Sequence, residues 1–271
     1  MSATVRGFKL GEINAAGAAT AEFSLVGHPP LQQIANMQDM ERRIMDARPG
    51  MYIKYFPCRY DAVTGDLKVG GGYLFDSRQN AEGYNHWATN EFEVDGPGEP
   101  PKKEKFWSRS IFKDVQRRTW DVIGACNFTF PDQHAVVRFQ RWSYTDTAGD
   151  DNAIALLKQT YEIIRETARK RRGAGAVWVL IRPEDRLIGM VTTVSKVADG
   201  NDSTEAGNMS IAELERQPSL GAHLPPQLGA VEVYNRTSLM LTIWMPTSRL
   251  AGGVHQTTPN FPLLPAVTNL S

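Results

Sequence analysis

The sequence predicts an α+β protein built from two tandem ferredoxin-like βαββαβ units. Segments of period two and period 3.6 follow one another in the order strand, helix, strand, strand, helix, strand, and this order occurs twice. The second and last strands of a unit begin 68 residues apart in the first half (51 to 119) and 55 apart in the second (176 to 231). Each half also carries a long insertion rich in Pro and Gly directly before its final strand.

The elements follow from local signals. Ala21 to Val26 alternates as a first strand, and Pro29-Pro30 suit the first turn of a helix over about Leu31 to Arg48, which Pro49-Gly50 stops. Met51 to Tyr60 and Leu67 to Asp76 are rich in aromatic and β-branched residues, with Thr64-Gly65-Asp66 between them as a hairpin turn. Ser77 caps a helix over about Arg78 to Phe92, whose stripe is Ala81, Tyr84, Ala88 and Phe92. An excursion from Glu93 to about Arg118 precedes a strand from Thr119 to Phe130.

The order then restarts. His134 to Tyr144 is a strand, and Asp150 or Asp151 caps a helix running through Arg172 to Gly173. Ala176 to Arg182 and Leu187 to Lys196 are strands joined by Pro183-Glu184-Asp185. Ser210-Ile211-Ala212-Glu213 is a capping box, and an excursion over Pro218 to Gly229 leads to the last strand, Val231 to Met245. The expected divisions are an extension over 1–19, units over 20–130 and 134–246, and a Pro-rich tail over 247–271.

Composition excludes several classes. Thirty basic residues balance thirty acidic ones, so the basic excess of a nucleic-acid binder is missing. No apolar run approaches the ~20 residues of a membrane span. Two cysteines make neither a disulfide scaffold nor a zinc site, and the start shows no signal-peptide pattern, so the cytoplasm is the expected compartment. None of the five histidines stands at metal-ligand spacing from another, so neither metal nor cofactor is expected.

Gly70-Gly71-Gly72-Tyr73-Leu74-Phe75-Asp76-Ser77, followed by Ala81-Glu82-Gly83-Tyr84, resembles the third strand and second helix of the dimeric α+β barrel proteins, among them the antibiotic-biosynthesis monooxygenases. The resemblance implies two ferredoxin-like sheets packed face to face into a barrel, here within one chain as a fused dimer. It also implies a small-molecule enzyme, with cofactor-free oxygenation of an ionised substrate as one activity. The fold hosts many chemistries, so the site must decide.

If helices cover one face of each sheet, the other face lines the barrel. On strand 134–144 the helix layer is assigned the Val137 and Phe139 face, which points Arg138, Gln140, Trp142 and Tyr144 inward. Tyr52, Lys54 and Phe56 fall on one face of their strand, opposite Ile53 and Tyr55. His86, on the second helix, is the candidate general base with Tyr52 as the alternative, and Arg138 or Lys54 offers a cation for a developing anion. Trp142, Tyr144, Tyr234 and Trp244 supply aromatic walls for an apolar or aromatic substrate. The ordinary alternatives are a half-exposed helix histidine for His86, a rim ion pair for Arg138 and a solvated strand lysine for Lys54.

The same equipment serves monooxygenation, lyase, dehydratase or cyclase chemistry. A second reading is a haem enzyme of the chlorite dismutase or aldoxime dehydratase type, with His223 or His86 as axial ligand. A third is a non-catalytic ligand-binding or stress-response barrel. The partner expected is a small molecule, not nucleic acid or a membrane. A barrel completed within one chain leaves a monomer, or a homodimer through outer surfaces.

Overall fold

The computed structural model describes residues 10–27, 29, 34, 44–45, 47–61, 63–129, 134–145, 149–195 and 214–245, without the side chains of 134 and 244. The capping box at 210–213, most of the helix expected over 31–48, His28, His255 and the tail over 247–271 lie outside those residues.

The first half contributes β1 (Gly17–Leu25), β2 (Met51–Tyr60), β3 (Leu67–Phe75), α1 (Arg78–Asn90) and β4 (Phe112–Asn127). The second contributes β5 (His134–Ser143), α2 (Asp150–Arg169), β6 (Ala174–Arg182), β7 (Leu187–Ser195) and β8 (Val231–Trp244). Local chemistry sets these bounds. The Asp61 carboxylate accepts the backbone N–H groups of Val63 and Thr64, both at 2.9 Å, and so turns β2 into β3. Ser77 caps α1 by accepting the Asn80 N–H at 3.1 Å. At α2 the cap position belongs to Gly149. Asp150 and Asp151 sit one step further in, where their charge complements the helix dipole instead of capping it. β4 begins at Phe112, not Thr119, because the added residues, rich in Lys, Asp, Gln and Arg, hide the strand's alternation.

Apart from a two-residue strand, Gly11–Glu12, that adds to β4, the strands hydrogen-bond in the order β4-β1-β3-β2-β8-β5-β7-β6, and β6 pairs back onto β4. Each half thus has its four strands in the ferredoxin-like order 4-1-3-2, all antiparallel. The halves do more than pack face to face. Their edges are laddered together at β2–β8 and β4–β6, so eight strands close into one barrel. Both junctions carry a register irregularity, between Met240 and Thr242 and between Val122 and Gly124, which adds local twist where the two sheets join.

Contacts across the barrel fix which side chains point inward. Tyr55 of β2 and Trp178 of β6, on opposite walls, stack at 4.7 Å and 15°. Trp120 meets Phe139 at 6.3 Å and donates its indole N–H to Thr20 at 2.9 Å. Gly72 faces the same space, since a Cβ built there would meet Trp178 at 3.5 Å, ordinary van der Waals contact. Glu22 of β1 accepts from Arg141 of β5 across the lumen. The inward residues of β5 are therefore Val137, Phe139 and Arg141.

This reverses the expected facing of β5. Arg138, Gln140, Trp142 and Tyr144 point outward. Trp142 lies under Gly221, in the apolar layer that holds Leu157 and Ile164 of α2. Arg138 donates to Asn235 Oδ1 (3.0 Å) and to the carbonyls of Leu214 (3.2 Å) and Gln217 (3.1 Å). The reason is that both faces of this strand are covered, so apolar alternation does not say which side is the lumen. Among the described residues no helix is long and apolar enough to cross a membrane.

Candidate functional site

The outer faces of β1, β2 and β3 rise toward α1 without filling the space beneath it. They leave a pocket of about 50 Å³ open to the centre of a water molecule. Its floor is Phe23, Lys54, Phe56 and Tyr73, and α1 contributes Tyr84 and Ala88. The first excursion closes it. The small hairpin Glu93–Asp95 with Lys103–Lys105 carries the chain back, and Phe92, Phe106, Trp107 and Phe112 close over the floor.

The wall is a continuous set of rings. Phe92 stacks on Phe106 at 4.9 Å, Phe106 meets Trp107 edge-on at 5.0 Å, and Phe23 meets Trp107 at 5.1 Å. Tyr73 and Tyr84 lie 4.7 Å apart. Gly71 permits this arrangement, since a side chain there would collide with the Tyr73 ring at 2.7 Å. Edge-on and offset pairs of this kind add ~0.5–1.5 kcal/mol each beyond simple burial.

Two polar features break the apolar surface. Lys54 is 4% exposed, with Nζ 5.8 Å from the centroids of both Phe56 and Tyr73. It is the one charged residue among the described lining. Ring faces are negative at their centres, so two of them stabilise an ammonium withdrawn from water. The Trp107 indole N–H is buried and finds no hydrogen-bond acceptor. An orphan donor of this kind costs about 1–3 kcal/mol until an acceptor arrives.

Of the residues singled out from sequence, Lys54 alone lines this pocket. His86 lies on the solvent side of α1, its side chain 69% exposed beside Asn90 and Glu91. The phase of the helix explains the miss, because a residue two positions after Tyr84 lies about 200° around the axis from the buried stripe. Tyr52 is buried beside the irregularity in β2, in the cluster containing Tyr55 and Trp178. Tyr144 donates its hydroxyl to Asp150 at 3.2 Å, tying β5 to the start of α2. Arg138 and Trp142 are outside the barrel on the second half, and Tyr234 lines a cavity within it. Trp244 ends β8 opposite Lys54, with its side chain outside the described residues.

Sequence reading missed Phe106, which lies in an excursion with no periodicity to mark it, and placed Trp107 only among the tryptophans that suit either an aromatic cavity or a core. Tyr73 was visible only within the Gly-rich strand motif, and Tyr84 only as a core position.

Electrostatics elsewhere are structural. Burial pushes the Cys58 thiol up to about 12, and burial with nearby Glu12 does the same for Cys126, so both are protonated, unreactive core groups. Burial lowers the Arg138 pKa, opposed by Glu232 and Glu215. Among the described residues no three His, Cys, Asp or Glu side chains cluster as a metal site. Haem does not fit the described lining of this pocket either. The pocket lining contains no histidine, His86 faces solvent, and His223 lies in a short turn (Leu220–His223) of the second half, away from the pocket.

The architecture is that of a dimeric α+β barrel with both halves in one chain. No family model and no curated protein matches the sequence. Solved structures of similar shape include an anthrone oxidase-like protein (13% identity, 89% of this chain and 97% of that chain covered, TM-score 0.47). A Lactobacillus acidophilus NCFM protein assigned as a monooxygenase is similar too (10% identity, 87% and 98% covered, TM-score 0.49). So is a chlorite dismutase from Candidatus Nitrospira defluvii (7% identity, 83% and 91% covered, TM-score 0.41). The fold rests on the strand order itself, and the chemistry must be argued from the pocket.

Proposed function

We propose that the pocket beneath α1 is the active site of a small-molecule enzyme that stabilises an anion on a planar, largely apolar substrate. The observation that carries this reading is one buried ammonium, Lys54, and one unsatisfied indole N–H, Trp107, in the same aromatic cavity. A substrate ring slots between the aromatic walls, and its ionised oxygen takes the ammonium and the N–H as donors. In a dry site such preset donors act at full strength and need no reorganisation. The Tyr73 and Tyr84 hydroxyls are the remaining proton-bearing groups of the described lining. From a phenolate or enolate held this way, loss of a leaving group and ring closure proceed by acid–base and electrostatic means, and the same anion is the form that gives an electron to dioxygen, the oxidant, which is reduced to superoxide. Dehydratase, lyase, cyclase and monooxygenase reactions share that first intermediate.

4-Nitrophenol tests the site, because its visible absorption reports ionisation directly. The wild-type protein is expected to bind it as the phenolate at a pH where the free probe is mostly protonated. Lys54→Met is expected to remove that shift and to lower turnover of a competent substrate by ~10²–10³-fold. Retention of both by Lys54→Met, in a protein of unchanged circular dichroism, overturns the assignment.

A further inference from the structure

The barrel lumen holds a second cavity, unconnected with the pocket beneath α1 in its chemistry. It measures about 50 Å³ open to the centre of a water molecule, and Tyr55, Val137, Phe139 and Val191 form its apolar wall. Glu22, Tyr234 and Arg236 form its polar end.

Charge at that end is unbalanced. Glu22 accepts from Arg141 and, at 3.4 Å, from Arg118, so one carboxylate already serves two guanidinium groups. Tyr234 also bonds to it, and the Arg141 guanidinium lies 4.1 Å over the Tyr234 ring. Arg236 is the third cation, 5.3 Å from the centroid of that ring, and among the described residues it has neither an ion pair nor a hydrogen bond. Three positive groups therefore face one negative group inside a chain of zero net charge.

The lumen is also approachable. An open polar vestibule of about 510 Å³ lies at the rim, and Arg236 belongs to the linings of both the vestibule and the inner cavity. The vestibule's other cations are engaged: Arg59 with Glu215, Lys68 with Ser24, and Arg138 with the carbonyls of Leu214 and Gln217. Arg236 is the uncommitted donor at the junction, with an aromatic-walled space behind it.

We infer that the lumen is a binding site for a small aryl monocarboxylate. The carboxylate takes the forked N–H groups of Arg236, and the ring enters the space bounded by Tyr55 and Phe139. A guanidinium matches a carboxylate bidentately, which neither an alcohol nor an amine of the same size reproduces. The site is distinct from the Lys54 pocket, so each is testable without the other.

Benzoate, benzyl alcohol and benzylamine, three probes of one size and different charge, are titrated calorimetrically into the full-length protein. The expected result is saturable benzoate binding at least about tenfold tighter than benzyl alcohol, with no binding of benzylamine. Arg236→Ala is expected to abolish the preference, Arg236→Lys to keep only part of it, and Lys54→Met to leave it unchanged. Arg236 makes no hydrogen bond to the fold, so these variants keep the barrel. Equal binding of benzoate and benzyl alcohol, benzoate affinity unaltered in Arg236→Ala, or loss in Lys54→Met with retention in Arg236→Ala overturns the inference.

Discussion

The two halves share one framework and fill it differently. Beneath α2, Leu157 and Ile164 meet Val177, Val179 and Ile181 of β6 and Ile188 of β7, and every one of these is fully buried. Beneath α1, the floor is built from Lys54, Phe56 and Tyr73 around Gly71, and a pocket remains. Branched aliphatic side chains interdigitate to crystal-like density, whereas rigid planar rings beside a glycine do not close up. The repeat therefore packs its two helices differently: α2 lies over a solid aliphatic layer and α1 over a pocket.

The largest effect that sharpens this contrast is expected at Leu157→Ala, which opens a void in the dense layer. It should lower unfolding free energy by ~2–5 kcal/mol in a denaturant titration. A loss below about 1 kcal/mol would show that the layer beneath α2 is as loosely filled as the one beneath α1.

Alkali offers the next test, through Cys58. Its thiol is raised to about 12 in the folded protein against a reference of 9.0. The unfolded chain ionises first, so the stabilisation is complete below about pH 9 and is lost as pH rises from there toward about 12. The slope is ~1.4 kcal/mol per pH unit. Cys58→Ala should flatten that part of the profile, and an unchanged slope would show that Cys58 does not carry it.

Trp107→Phe is a subtler probe of the pocket. It removes a buried donor that has no partner, so stability should hold or rise by up to ~1 kcal/mol while binding of 4-nitrophenolate weakens. A protein stabilised by the change and unaltered in binding would show that the indole N–H does not meet substrate. The smallest effect is expected at His86→Ala: within ±0.5 kcal/mol in stability and no change in activity, as befits an exposed helix position. A large activity loss there would move the site out of the pocket.

The strand and helix order was legible because hydrophobic period and turn chemistry are local properties. Asp61, Thr64 and Gly65 announce their turn, and Ser77 announces its helix. Facing was harder to read. In β5 the lumen is as apolar as the helix layer, so Val137 and Phe139 could belong to either. Arg138 proved to be an outward residue satisfied by carbonyls from a loop 76 and 79 positions away in sequence. His86 was a matter of helix phase, which its stripe of Ala81, Tyr84 and Ala88 contained all along. Lys54 was legible as a strand lysine, but its burial depends on Phe106 and Trp107, which return to it from an excursion without pattern. Long-range closure of that kind leaves no local mark.

The seam between β2 and β8 has a consequence for how the molecule is made. β2 ends at Tyr60, and its ladder partner β8 is complete only at Trp244. At ribosomal rates of ~5–20 residues per second, β2 waits roughly 10–40 s with one edge open. An unpaired strand edge during that interval is a template for another nascent chain. The charged Arg59 near the end of β2 offers one defence, because a charge on an open edge disfavours pairing with another chain. The closed ring that pairs both edges of β2 in the finished protein is thus also the reason this strand waits longest with one edge open.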